Sequence, residues 1–484
     1  MEIGLVGGAD VGRSSNISPA NSINWFEEKG KNGTSLVSTH GSTTLVTPTT
    51  AEARGCIEYN GLAYFVIGDT LYEINSSGAA TSRGTLDTSV GLVSMAHNGV
   101  RVGANQQIMI VDGVEGYIYD NTTQTLTRIA DTDMVASESV LFLDGYFVFA
   151  QKDSDRFWIT SLYDGTTIDP NDFATAEGDP DTLQAVATDR RELFLFGQTT
   201  LEVWYNAGDS DNTFQRYQGG STQTGLAATH AWSRFDNGIC WLTNNKRGTK
   251  QIAVLGDGYS PQFISTPEVN FRLSTYTTYD NAFSYVYQHE GHEFICFTFP
   301  SHKVTEVYDA STKEWHQRGH TIDGVFPNRE RYNCHVFAFG KHLFGDFANG
   351  NIYVLDTSVG TISGTRIPRE RITPILTDEE KRIRISAIQL DMQEGIGDPN
   401  VSTDTSMWLS YSKDGGHTFS NEREISLGAA GEHDKRIVWR RLGQARNWIF
   451  KFRTWSPNPM VLKGAYARLY GQNQGEKGRR EAEA

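Results

Sequence analysis

No apolar run in this chain approaches the ~20 residues that a membrane helix requires, so no membrane insertion is expected. The opening residues, Met1-Glu2-Ile3-Gly4, lack a basic stretch followed by an apolar one, so no secretory leader is expected there. Cysteine is scarce: Cys56, Cys240, Cys296 and Cys334 stand far apart in 484 residues, each in an apolar or strand-like stretch. That excludes a disulfide framework, and no pair has zinc-ligand spacing. Free buried thiols and synthesis in a reducing cytosol are expected. A serine nucleophile elbow and a phosphate loop are also missing, and Gly4-Leu5-Val6-Gly7-Gly8-Ala9-Asp10 lacks the strand–helix context of a dinucleotide site. Basic charge is in short supply, with 43 Lys+Arg against 58 Asp+Glu, a net of −15. A strongly acidic body is a poor static binder of DNA, because binding needs cations that displace condensed counterions. It suits a wall past which DNA slides.

What is present reads as β structure: 48 Gly, 25 Phe, 20 Tyr and 10 Trp, with abundant Ser and Thr. The length exceeds what one core usually holds, so two domains or one repeat fold are expected. Residues 1–55 are polar, with Ile23-Asn24-Trp25-Phe26-Glu27-Glu28 as their one anchor, and read as an extended N-terminal arm with short strands. From Cys56 short apolar runs recur with turns between them, as in Leu62 to Ile67 and Leu71 to Ile74. A hairpin phrase repeats in Gly116-Tyr117-Ile118-Tyr119-Asp120, Thr305 to Asp309 and Gly350 to Asp356. Val307 to Trp315 is similar to a kelch hairpin. Groups of four short strands at about 40–50 residues predict propeller blades, about six of them over 56–365; a pair of non-repeating β-sandwiches is the alternative. The prolines and charges of 366–385 predict a linker, followed by a β-sandwich-like domain over 366–472. The charged residues 473–484 predict a flexible tail. The charge is uneven: 366–472 carries a net of +4 and 1–365 a net of −19.

The chemistry candidates favour structural roles. Ser412, Asp414, Gly416, Thr418 and Phe419 form an S-x-D-x-G-x-T-F run similar to the Asp-box of sialidases, a turn device in which Asp accepts backbone bonds. His289-Glu290-Gly291-His292-Glu293 lacks the zincin spacing, and histidines three apart in a strand would face opposite ways. His316 and His320 lie four apart without a helix to align them. Seven of the twelve histidines fall between His289 and His342; solvated or core histidines are expected, with no metal and no cofactor. The acids of Glu177-Gly178-Asp179-Pro180-Asp181 sit in a Pro/Gly turn and predict capping. In the strand Arg436 to Arg441, alternation puts Arg436, Val438 and Arg440 on one face and Ile437, Trp439 and Arg441 on the other. Arg and Trp dominate interface cores, so Arg436, Trp439, Arg440, Arg441 and Arg446 are the candidate partner interface.

One stretch carries a family signature. Arg156 to Ala207 contains Phe157-Trp158-Ile159, Tyr163-Asp164-Gly165, Asp169-Pro170-Asn171-Asp172 and the acidic turn at 177–181. It resembles the F-x-x-S/T-x-L-x-D-G-x-x-x-D-x-x-x-F-A-x-A-E-x-x-P-D run of the packaged-DNA stabilisation, or tail accessory (nozzle), proteins of short-tailed bacteriophages. Asp434-Lys435-Arg436 to Arg446 is similar to the D-K-R-h-x-W-x-R-x-G run near their C-terminus. Residues 20–28 and 283–316 resemble further segments. The resemblance implies a virion tail protein and no enzyme: a ring, hexameric in the family, below the portal and its adaptor, with DNA passing through it without sequence-specific binding. Such a ring extends the channel, retains packaged DNA and carries spikes, fibres or a needle. A sialidase-like hydrolase or glycan-binding propeller is the rival, and a kelch-like scaffold a third reading. Carboxylate pairs and an arginine cluster converging on one propeller face would favour the hydrolase.

Overall fold

In a computed structural model, described for residues 1–13, 19–31, 33–176, 181–209, 213–235, 238–379, 381–393, 395, 405–429 and 431–469, strands dominate. Pro267–Ser274 is the one α-helix among the described residues. The expected tail at 473–484 and the turn residues 177–180 lie outside the described residues.

The local cause is turn chemistry. Asn60-Gly61 joins Ala53–Tyr59 to Leu62–Ile67 with both φ angles positive, 52° and 75°. That is the geometry whose twist matches paired strands, and Asn and Gly adopt it at least cost. Asp144-Gly145, Arg190-Arg191, Glu290-Gly291 and Phe339-Gly340 repeat it at equivalent places.

These hairpins build seven blades, one more than the sequence count. Blades one to four are four-stranded sheets over 53–85, 94–128, 140–175 and 183–222. Blade five spans 225–263 and blade six 283–318. Blade seven takes three strands from 332–356, and its outer strand is Gly41–Val46, paired antiparallel with Ile352–Asp356. What 332–356 lacks is a fourth strand, because that strand comes from the other end of the chain. Tyr332–Ala338 packs against Ala53–Tyr59 of blade one and closes the circle. Apolar clusters fill each blade–blade junction: Tyr64 and Ile110 between blades one and two, Leu195 and Phe157 between three and four, Phe65 and Leu343 between seven and one.

The remaining strands form a sandwich. One sheet runs Trp25–Gly30, Gly33–Ser38, Val461–Leu469, Ile383–Met392, Ile437–Ala445, with Glu2–Ile3 added on Val461–Leu469. The other runs Asn21–Ile23, Arg369–Ile372, Ile449–Thr454, Ser406–Ser412, Arg423–Ser426. Trp25, Trp448, Phe450 and Leu462 lie in the core between them.

The segment read as an arm is therefore woven into both units. Asn21–Ile23 pairs parallel with Glu314–Arg318 of blade six and antiparallel with Arg369–Ile372, so a single nine-stranded sheet runs from propeller into sandwich. The short polar strands of 1–46 gave no strong periodicity because each is completed by a partner hundreds of residues away.

Candidate functional site

The family-like stretch at 156–207 does its work inside the propeller. Asp164 accepts from Thr166 N–H and Oγ1 (3.0 and 2.7 Å) and from Gln107 Nε2 (3.1 Å). Gln107 Oε1 in turn accepts from Gly165 N–H at 2.7 Å, so this turn of blade three is bolted to blade two. Burial alone would raise the Asp164 pKa, but these donors hold it below the usual carboxylate value. Asp181 caps the hairpin of blade four, accepting from the backbone N–H of Thr199 (2.6 Å) and Thr200 (2.9 Å). Arg156 lies over Phe173, 4.7 Å from its centroid. Motif residues here set blade geometry.

The Asp-box-like turn forms as a turn between Ser406–Ser412 and Arg423–Ser426. Ser412 Oγ donates to Asp414 (2.7 Å) and accepts from Gly416 N–H (2.9 Å); Asp414 accepts from Thr418 N–H (3.0 Å) and Oγ1 (2.5 Å). The hydroxyls of Ser412 and Thr418 drive the Asp414 pKa well below the usual carboxylate range. Lys451 sits 4.3 Å from the Phe419 ring. The turn lies on the sandwich surface, away from the propeller axis.

Among the described residues Ile437–Ala445 is an edge strand, paired on one side only, with Ile383–Met392. Arg436 and Arg440 are exposed, whereas Ile437 and Trp439 enter the sandwich core. The expected face of Ile437, Trp439 and Arg441 breaks at its third member. Arg440 pairs with Ala387 and Gly443 with Ile385, so Arg441 and Leu442 oppose the single residue Ser386. At this bulge Arg441 takes φ 63° and turns to solvent, while Leu442 takes the buried place. Trp439 is 3% exposed, and its indole N–H donates to Arg423 O at 2.8 Å. It supports the strand from beneath and offers no face to a partner. Arg436, Arg440, Arg441 and Arg446 remain exposed, with no ion pair to any described residue.

Two arginines that the sequence placed in a linker are buried instead. Arg371, 1% exposed, donates to the carbonyls of Leu5 (2.6 Å), Gly8 (2.8 Å) and Asn21 (3.1 Å). Arg369, also 1% exposed, donates to Ser456 O at 2.7 Å. Burial lowers both guanidinium pKa values to about 10. Asn24 completes the joint: its Nδ2 donates to Gly319 O and Pro368 O, both at 2.6 Å, and its Oδ1 accepts from Gly319 N–H. No periodicity in RIPRERITP distinguishes a charge run in water from a clamp on carbonyls.

On the propeller axis a cavity of about 490 Å³ is lined by Glu52, Asp112, Glu138, Asp280, His230 and Arg329. Glu138 is held by Lys152 at 2.5 Å. The Arg329 guanidinium is spent on structure, donating to Asn333 Oδ1 (2.6 Å) and Glu330 O (3.2 Å). This cavity thus gathers acids around one engaged arginine among its described lining residues.

The histidines of the Glu290-Gly291 hairpin also depart from expectation. His289 and His292 are register partners across the turn, which puts them on one face. Their odd spacing spans a two-residue turn and not a continuous strand. His292 bonds Asp309 at 2.7 Å and is raised by it. His289 instead meets His40, with ring centroids 5.1 Å apart.

Comparison with known proteins agrees with this architecture. The family described as "Bacteriophage P22 Gp10, beta-propeller" matches residues 1–360, and "Bacteriophage P22 Gp10, beta-sandwich" matches 368–470. The tail hub protein gp10 of Salmonella phage P22 is 23% identical over 437 residues, covering 86% of this chain and 88% of that protein. Distant structural likenesses include PorZ of the Porphyromonas gingivalis type-IX secretion system, at 12% identity and TM-score 0.38. It covers 72% of this chain but only 44% of PorZ. The N-terminal domain of Nup159 is another, at 8% identity and TM-score 0.41, covering 65% of this chain and 93% of that domain. With its circle of blades joined to a sandwich, and with both segments matched in order, the chain belongs to the bacteriophage P22 Gp10 family and is a virion tail protein.

Proposed function

We propose that the chain is a structural hub, without catalytic activity, that closes into a ring, hexameric as in the family, beneath the portal and its adaptor. The ring extends the DNA channel, retains the packaged genome and carries spikes, fibres or a needle. The observation that supports this best is the sandwich edge strand with its unpaired arginines. A free strand edge offers backbone groups for pairing, and exposed Arg436, Arg440 and Arg441 beside it favour an acidic partner surface. The segment before residue 366 supplies such a surface, with its net of −19. Ring closure needs two unlike, complementary patches on each copy, and the two parts of this chain differ in that sense. The nine-stranded sheet supports the same reading, because a load on the sandwich passes into blade six through strand pairing and not through a hinge. DNA passes an acidic wall without being held by it.

The test is charge reversal in the assembled particle. Arg440→Glu with Arg441→Glu leaves the fold unchanged by circular dichroism, blocks incorporation into tails and leaves packaged DNA open to nuclease. Particles that incorporate the double variant and protect their genome contradict the docking role of this edge.

A further inference from the structure

We propose that His40, His289 and Glu290 form a binding site for one divalent transition-metal ion of the zinc class, which staples the closing strand of the propeller to blade six. The three residues come from two distant segments. His40 immediately precedes Gly41–Val46, the strand that completes blade seven, and His289 and Glu290 stand at the hairpin tip of blade six. One ligand atom from each lies within 4.8 Å of the others. His40 Nε2 is 3.5 Å from one Glu290 carboxylate oxygen, and His289 Nε2 is 3.8 Å from the other. Two ligands each about 2.0–2.1 Å from a tetrahedral ion lie roughly 3.3 Å apart, so the set closes when the three ligand atoms draw in from the 4.8 Å that bounds them.

The His289 ligand nitrogen is available: His289 Nε2 is buried without a hydrogen-bond partner among the described residues, a state that costs free energy. An ion on His289 Nε2 removes one such cost. The two imidazole side chains are 10% and 21% exposed, whereas Glu290 is 59% exposed. The site thus has a fixed inner wall, a movable anionic ligand and an entry path from solvent. Two imidazoles and one carboxylate suit zinc, cobalt or nickel over magnesium or calcium, which take oxygen ligands; water completes the fourth position. Arg318 is the cation nearest in effect. It is 3.8 Å from Glu330, which offsets its charge. The expected effect is mechanical: the ion ties residue 40, where the chain leaves the sandwich and enters the outer strand of blade seven, to the hairpin of blade six.

The experiment uses the full chain, stripped with chelator and then titrated with Zn²⁺ by calorimetry, with Co²⁺ absorption as a probe of geometry. One ion per chain, a rise in thermal midpoint and an intense tetrahedral Co²⁺ spectrum are expected. His40→Ala and His289→Ala abolish all three. Glu290→Asn suits the positive φ of 49° at this turn and keeps the decision independent of core packing. It weakens binding by more than the roughly 10–100-fold that losing an outer-shell partner costs. Absence of zinc uptake by the folded parent chain, or uptake undiminished in Glu290→Asn and either folded histidine variant, overturns the assignment.

Discussion

Replacing Arg371 with methionine tests whether propeller and sandwich act as one body. Methionine keeps an unbranched apolar stem in place of the first part of the side chain, ends short of the guanidinium, and removes three donors to Leu5, Gly8 and Asn21, the residues that lead the chain into the shared sheet. Hydrogen bonds from a charged group contribute roughly 1.5–3 kcal/mol each, so about 4–9 kcal/mol is lost. Against this, the variant no longer buries a guanidinium. Burial lowers the Arg371 pKa to about 10, well under the ordinary guanidinium value, which corresponds to roughly 3 kcal/mol of cost recovered. The net expectation is a loss of about 3 kcal/mol. Urea unfolding followed by tryptophan fluorescence reads it well, because Trp25 and Trp448 report on the sandwich and Trp241 on the propeller. The variant's single transition moves to lower urea for all probes together. A change below about 1 kcal/mol refutes the clamp, and a shift confined to the sandwich signal refutes the coupling.

Further outcomes follow from other sites. Asp414→Ala loosens the 412–418 turn, lowering the thermal midpoint and increasing proteolysis there, with no effect on tail assembly. Arg191 holds φ 65° in the blade-four hairpin. Arg191→Gly relieves that strain, loses only the exposed 2.8 Å pair with Asp144, and raises stability by about 0.5–1 kcal/mol in urea melts. Burial lowers the His230 pKa from 6.5 to about 4. The unfolded chain therefore takes up a proton between those values that the folded chain refuses, and stability falls as pH drops through the window. The loss is at most about 3 kcal/mol, less because the ring borders the axial cavity. His230→Asn gives a shallower decline of thermal midpoint between pH 7 and 4.5; an unchanged slope counts against the assignment.

What could be read along the chain was what neighbours in sequence determine. Asn60-Gly61 and Gly116 to Asp120 announce hairpins because turn residues and strand partners are adjacent. The Ser412-Asp414-Thr418 turn was legible for the same reason, since all its bonds lie within five residues. Long-range pairing was not. Gly41–Val46 carries no mark that it completes a blade ending at Asp356, so the blades were undercounted. The bulge at Arg441 depends on the register with Ser386, so strict alternation misplaced one arginine. Trp439 illustrates a different limit: a tryptophan on an arginine-rich strand reads equally as interface or core, and only the sheet opposite it decides. His40 stands alone in sequence and gains meaning only beside His289. The axial acids, from Glu52 to Asp280, converge solely because the blades close.

Docking of the sandwich edge within a tail ring can be seen by electron microscopy of assembled tails carrying this chain, at a resolution that traces strands. The expected map shows a ring of copies around the DNA channel, with Ile437–Ala445 and the arginines at 436, 440 and 441 against an acidic surface of a neighbouring copy or of the adaptor. A map in which that edge faces open solvent, with the contacts made elsewhere, contradicts it.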